Sequence, residues 1–151
     1  MFEIIEVVNL PKCNAAAVHL RIPRSEIIQV MGPAVNEVLT AMESSGLYPA
    51  GPMFAYHLDI EVGFPIEGEL SAFQRVRSIT LPGVTALKTT YVGPYSGLYK
   101  AWASFGDEFR KRYPNNLEKS LFREVYRVGP ETTSDESKWE TDLFIPLGEA
   151  P

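Results

Sequence analysis

One carboxylate stands out as the residue of this chain best placed to do chemistry. From Ser120 to Val128 the residues alternate, Phe122, Glu124, Tyr126 and Val128 on one parity and Leu121, Arg123, Val125 and Arg127 on the other. Successive side chains of a strand point to opposite faces. The parity that carries two arginines is expected to be the wet one, which turns Glu124 inward beside Phe122 and Tyr126. A carboxylate in such a place is costly, roughly several kcal/mol, unless something compensates it. No Lys or Arg shares its parity in this strand, so compensation comes from hydroxyls, from a base elsewhere in the chain, or from a bound cation. The same group, next to a trapped electrophile, has the chemistry of a general base.

The elements that must position Glu124 repeat along the chain. The first half reads as a strand near Ala15–Ile22, helical pattern to about Ser45, a strand at Met53–Asp59 and a strand ending at Phe64-Pro65-Ile66. The second half has Thr85–Val92, a helix near Ser96–Arg112, then Leu121–Val128 and a strand ending at Ile145-Pro146-Leu147. Each half is strand–helix–strand–strand, so pseudo-repeats of about 1–82 and 83–151 within one domain are expected. Further strands near Glu3–Val8 and Arg75–Leu81 flank the first unit. Leu98, Trp102, Phe105 and Phe109 make one apolar stripe, and Val35, Val38, Leu39 and Met42 make another. Pro33 should open the main first helix, with a short helical turn from Ser25 to Met31 before it, because proline fits the first turn and not the interior.

These patterns predict an α+β fold. The duplicated units form a twisted antiparallel sheet of about eight strands, with two main helices on one face and a central groove. Phe54 and Tyr56 share a parity in their strand and are expected to face the same space as Phe122, Glu124 and Tyr126. His57, Asp59 and Glu61 fall on the other parity, and the two acids read as solvated. The run Glu131–Glu136 reads as a solvated loop or a lid.

Composition narrows the function. The chain has 151 residues and a net charge of −5, with Arg110, Lys111 and Arg112 gathered where a helix should end. That is no broad footprint for nucleic acid or anionic lipid, and basic residues at a helix C-terminus complement its dipole. Cys13 is the single cysteine, so no intrachain disulfide forms and a cytoplasmic setting is the default. His19, His57 and Cys13 have no metal-ligand spacing, no apolar run reaches membrane-span length, and no nucleotide motif or nucleophile elbow is present. No cofactor is expected.

Four motifs in order, Gly51-Pro52-Met53-Phe54-Ala55-Tyr56, Glu61-Val62-Gly63-Phe64-Pro65-Ile66, Tyr91-Val92-Gly93-Pro94-Tyr95 and Phe122-Arg123-Glu124-Val125-Tyr126, resemble the GyrI-like small-molecule-binding domains. The ending from Gly129-Pro130-Glu131 through Trp139-Glu140-Thr141-Asp142-Leu143 to Pro146-Leu147 is similar too. Such domains also serve as effector domains of multidrug-responsive bacterial activators. The resemblance implies a central pocket for bulky, often cationic aromatic compounds, with Glu124 as its glutamate. This chain begins almost at its first strand, so it resembles the freestanding form, and DNA binding is not carried over.

Attraction between a lipophilic cation and a carboxylate about 4 Å away is roughly 4 kcal/mol at an effective dielectric near 20, before desolvation. Aromatic faces add about 0.5–2 kcal/mol each. The wall is expected to comprise Tyr56, Tyr91, Trp102, Phe122, Tyr126 and Trp139, with Phe54 beside them. The leading expectation is sequestration or sensing of hydrophobic cations. The resemblance leaves two alternatives. One is hydrolysis of strained cyclopropane rings in DNA-alkylating drugs, with Glu124 as base and Tyr56, Tyr91 or Tyr126 as donor. The other is a gyrase-directed inhibitory interaction.

Overall fold

The computed structural model describes residues 4–20, 27–56, 60–71, 73–116 and 122–149. Contacts divide the chain into two compact units, 12–82 and 83–151, the latter joined by residues 1–11. Among the described residues there are eight strands, paired antiparallel within the units, and two long helices. The expected positions His57 and Asp59, and residues 21–26 and 117–121, lie outside the described residues.

The 12–82 unit contains β2 (Cys13–Leu20), α1 (Ile27–Ser44), β3 (Met53–Tyr56), β4 (Ile60–Pro65) and β5 (Val76–Leu81). Its strands run in the order β3-β4-β2-β5. The centre of β2 is Ala15, Ala16, Ala17 and Val18, all fully buried. Close pairing with β4 requires Gly63, where an added Cβ would lie 1.9 Å from the Ala16 carbonyl oxygen. The helix continues through Pro33 instead of starting there. Proline in a helix interior costs about 3 kcal/mol by removing one hydrogen bond and crowding the preceding turn. Burial of Ala34, Val38, Ala41 and Met42 on one face of the same helix offsets it. That stripe is rotated from the expected one, leaving Leu39 exposed because the small Ala34 and Ala41 permit closer approach on their side.

The other unit contains β1 (Glu6–Leu10), β6 (Val84–Val92), α2 (Leu98–Arg112), β7 (Arg123–Val128) and β8 (Glu140–Glu149). Its order is β1-β6-β8-β7. Each unit therefore uses the same plan: the strand before the helix pairs with the last strand of the repeat, and an extra strand flanks it. The extra strand is β5 in one unit and β1 in the other, so the N-terminal strand serves the later repeat. Leu87, Tyr91, Ala101, Phe105, Phe109, Leu143 and Ile145 form the core of this unit, with Leu98 and Trp102 packed against it. Burying each large side chain contributes about 1.5–3 kcal/mol. The β6–β8 register shifts between Thr85 and Ala86, opposite Gly148 and Pro146. A proline has no N–H for the ladder, and such irregularities accommodate it.

Candidate functional site

The register of β7 on β8 sets Glu124 opposite Leu143 and Tyr126 opposite Thr141. On the far side of β8, Leu143 faces Thr89 and Thr141 faces Tyr91. All six side chains share the face that α2 covers, since Leu143 and Tyr91 pack with Phe105 and Phe109. Glu124 retains only 4% of its exposure. The inward turn expected from alternation is what the strand adopts.

Donors from α2 and from β7 itself reach its carboxylate. The Trp102 indole Nε1–H of α2 donates to Oε1 at 2.8 Å, and the Tyr126 hydroxyl donates to Oε2 at 2.7 Å. Hydrogen bonds to a charged group contribute about 1.5–3 kcal/mol. Both donors are neutral, and the two bonds fix the orientation of the carboxylate.

Each donor belongs to a run of rings. Trp102 lies 5.3 Å from Phe122 between ring centroids, tilted 33°. Tyr126 meets Tyr95 edge-on at 5.7 Å, and Tyr95 lies 4.7 Å from Trp139. One run, Phe122–Trp102, thus ends on Oε1 and the other, Trp139–Tyr95–Tyr126, ends on Oε2. Phe122 is 37% exposed, which opens its run to solvent.

Tyr95 was no candidate in the sequence, because it sits in a turn where neither helical nor strand periodicity marks an orientation. Its phenol is pushed up to about 12 by burial, then by the negative charges of Glu131 and Glu124. It is therefore a protonated donor at neutral pH. An added Cβ on Gly129 would lie 2.6 Å from the Tyr95 hydroxyl and 3.1 Å from a Glu131 carboxylate oxygen. The Gly-Pro pairs before Tyr95 and Glu131 were the available signal: both turns end on residues that converge there.

The other expected wall residues have different surroundings. Tyr91 is buried in the core and donates its hydroxyl to the Pro94 carbonyl at 2.8 Å, bracing the turn that carries Tyr95. Trp139 is 8% exposed and donates its indole N–H to the Thr133 carbonyl. Its own carbonyl accepts from the Gly93 amide, at a glycine whose φ of +145° favours that residue type. The loop expected to be solvated or a lid is consequently stitched on both sides, although its residues are largely exposed. Phe54 is buried on β3 in the 12–82 unit. The Tyr56 side chain lies outside the described ones.

The supposedly wet parity of β7 is only half wet. Arg127 reaches Asp142 and Glu140 at 2.8 and 2.9 Å, but Arg123 is 7% exposed, opposite Phe144 on a largely buried face. Asp142 on that face also accepts from the Thr90 hydroxyl at 2.7 Å. Glu61 is not solvated either, because His19 on the neighbouring β2 and Arg77 on β5 beyond it reach it at 3.0 and 3.3 Å. The buried Thr89 and Thr141 hydroxyls, on the Glu124 face, have no hydrogen-bond partner among the described residues. An open hollow of about 420 Å³ in the 12–82 unit is lined by residues including Asn14, Ile66, Glu69 and Thr80, and by none of the Glu124 set. Among the described residues no cluster of His, Cys, Asp and Glu could hold a metal, and no helix is long and apolar enough to cross a membrane.

The antiparallel strand–helix–strand–strand repeats define a duplicated α+β class of domain. The chain belongs to the GyrI-like small-molecule-binding domain family, matched over residues 4–147. Its fold is similar to the EcmrR C-terminal domain, at 20% identity and a TM-score of 0.79, covering 99% of both chains. It is also similar to EcmrR in a complex with DNA, at 20% identity and a TM-score of 0.80, covering 97% of this chain. This chain spans 58% of that one's length. SAV2435 bound to tetraphenylphosphonium is a third likeness, at 13% identity and a TM-score of 0.59, covering 95% of this chain and 93% of the other. No curated protein matches the sequence.

Proposed function

We propose that this domain binds hydrophobic, cationic aromatic small molecules at the Glu124 carboxylate, as a sequestering or sensing protein of the multidrug-binding type. The observation that carries the reading is the oriented, buried carboxylate at which two runs of aromatic rings meet. A lipophilic cation loses little on leaving water, and gains from a carboxylate in a low-dielectric setting and from aromatic faces. The ligand class of SAV2435, a tetraphenyl-substituted cation, fits the same chemistry. The site residues of this reading are Glu124, Trp102, Tyr126, Phe122, Tyr95 and Trp139.

Calorimetric titration with tetraphenylphosphonium, and with neutral triphenylphosphine oxide as its uncharged counterpart, tests this. The expected result is saturable binding of the cation at one site per chain, accompanied by quenching of tryptophan fluorescence, and much weaker binding of the oxide. Equal affinity for the two compounds would contradict the reading.

A further inference from the structure

The Glu124 site has a second carboxylate nearby, beside Tyr95 in the middle of the Trp139–Tyr95–Tyr126 run. Glu131 and the Tyr95 hydroxyl converge on Gly129, each within 3.2 Å of the point where a Cβ would stand there. The turn is braced, with the Thr132 and Thr133 amides donating to the Gly129 carbonyl and the Trp139 indole donating to the Thr133 carbonyl. Glu131 is exposed, and among the described residues it makes no ion pair, whereas Asp135 in the same loop reaches Lys138 at 3.8 Å. The Tyr95 phenol feels both carboxylates, Glu131 more than Glu124. Tyr126, which donates to Glu124, meets the Tyr95 ring at 5.7 Å, and aromatic rings attract cations.

We infer that Glu131 is a second anionic contact of this site, and that the favoured ligands are flat aromatic dications. One positive centre meets Glu124, and the other extends along Tyr95 to Glu131. The inference rests on the cation-binding reading of Glu124 and adds to it a choice between singly and doubly charged ligands of one shape. Because Glu131 is exposed, its contribution is the modest, salt-screened kind.

Two probes of nearly identical shape separate the charges: N-methyl-4-phenylpyridinium, with one, and N,N′-dimethyl-4,4′-bipyridinium, with two. Calorimetry on the wild type should show the dication bound about fivefold more tightly, a preference that narrows as salt is raised. Glu131→Gln should erase the preference while leaving the affinity for the monocation unchanged. Being on the surface, that substitution leaves the fold intact, which circular dichroism checks. Equal losses for both probes in Glu131→Gln, or no preference in the wild type, would overturn the inference. Failure of the monocation to bind, or binding that ignores Glu124→Gln, would instead bring down the reading beneath it. A wild type that holds the monocation through Glu124 yet treats both probes alike defeats the Glu131 role alone.

Discussion

The Trp102 indole and the Glu124 carboxylate, 22 residues apart in the chain, are joined by a hydrogen bond of 2.8 Å that ties α2 to β7. The contact makes one side chain both a helix anchor and, in the proposed reading, a wall of the binding site. Trp102 belongs to the apolar stripe that packs α2 on its strands, and its polar edge is what fixes the carboxylate. The docked helix therefore also orients the acid.

Removing either donor should destabilise the domain. Trp102→Phe and Tyr126→Phe each leave a buried carboxylate oxygen short of one bond, at a cost of about 1–3 kcal/mol. Because both act on one group, the double variant should depart from additivity by about 0.5 kcal/mol or more. Urea denaturation of the four proteins measures this, and strictly additive losses would show that the two bonds are independent.

Alternation was enough to turn Glu124 inward, because a strand offers only two faces and the sequence marked one of them with arginines. The same rule misplaced Arg123, since it assumes that one face of the sheet is open to water, and the face holding Phe144 and Asp142 is buried. Helix α2 was legible from its large stripe of Leu98, Trp102, Phe105 and Phe109. Helix α1 was less so: its buried face depends on Ala34 and Ala41, which carry weak hydrophobic signal, and packing overrides the proline between its ends. Tyr95 escaped because its orientation is set by long-range partners, Trp139 and Gly129, and not by its neighbours in sequence. Tyr91 was legible as an aromatic, but its hydroxyl partner Pro94 made it a turn brace.

Alkali should unfold the domain in a way that Tyr95 shapes. Its folded pKa of about 12 stands above the unfolded value of about 10. The folded state thus holds this proton more tightly. The resulting stability is fully present below about pH 10 and is lost as pH rises through about 12. Tyr95→Phe should flatten the fall in urea midpoint across that window. Some slope will remain, because burial raises the Tyr91 phenol as well. An unchanged slope in Tyr95→Phe would contradict the assignment.

Gly97 should tolerate no side chain, for steric and not conformational reasons. Its φ of −89° suits any residue, yet a Cβ there would stand 2.0 Å from the Tyr91 hydroxyl. Gly97→Ala should cost about 1–3 kcal/mol through overpacking. Adding Tyr91→Phe, which deletes the oxygen but leaves the ring carbon at 2.9 Å, should recover part of that loss. Thermal unfolding of the single and double variants decides it, with no recovery counting against the clash.

The account turns on the negative charge of Glu124, and Glu124→Gln removes that charge while keeping the size of the side chain. Calorimetric titration of wild type and Glu124→Gln, with tetraphenylphosphonium and with neutral triphenylphosphine oxide, measures the charge-specific share of binding. The cation should lose about 1–3 kcal/mol in the variant, the magnitude of a charged interaction, while the oxide changes little. Equal losses for both ligands, or no loss for the cation, would contradict the claim that this carboxylate is what the site offers its ligands.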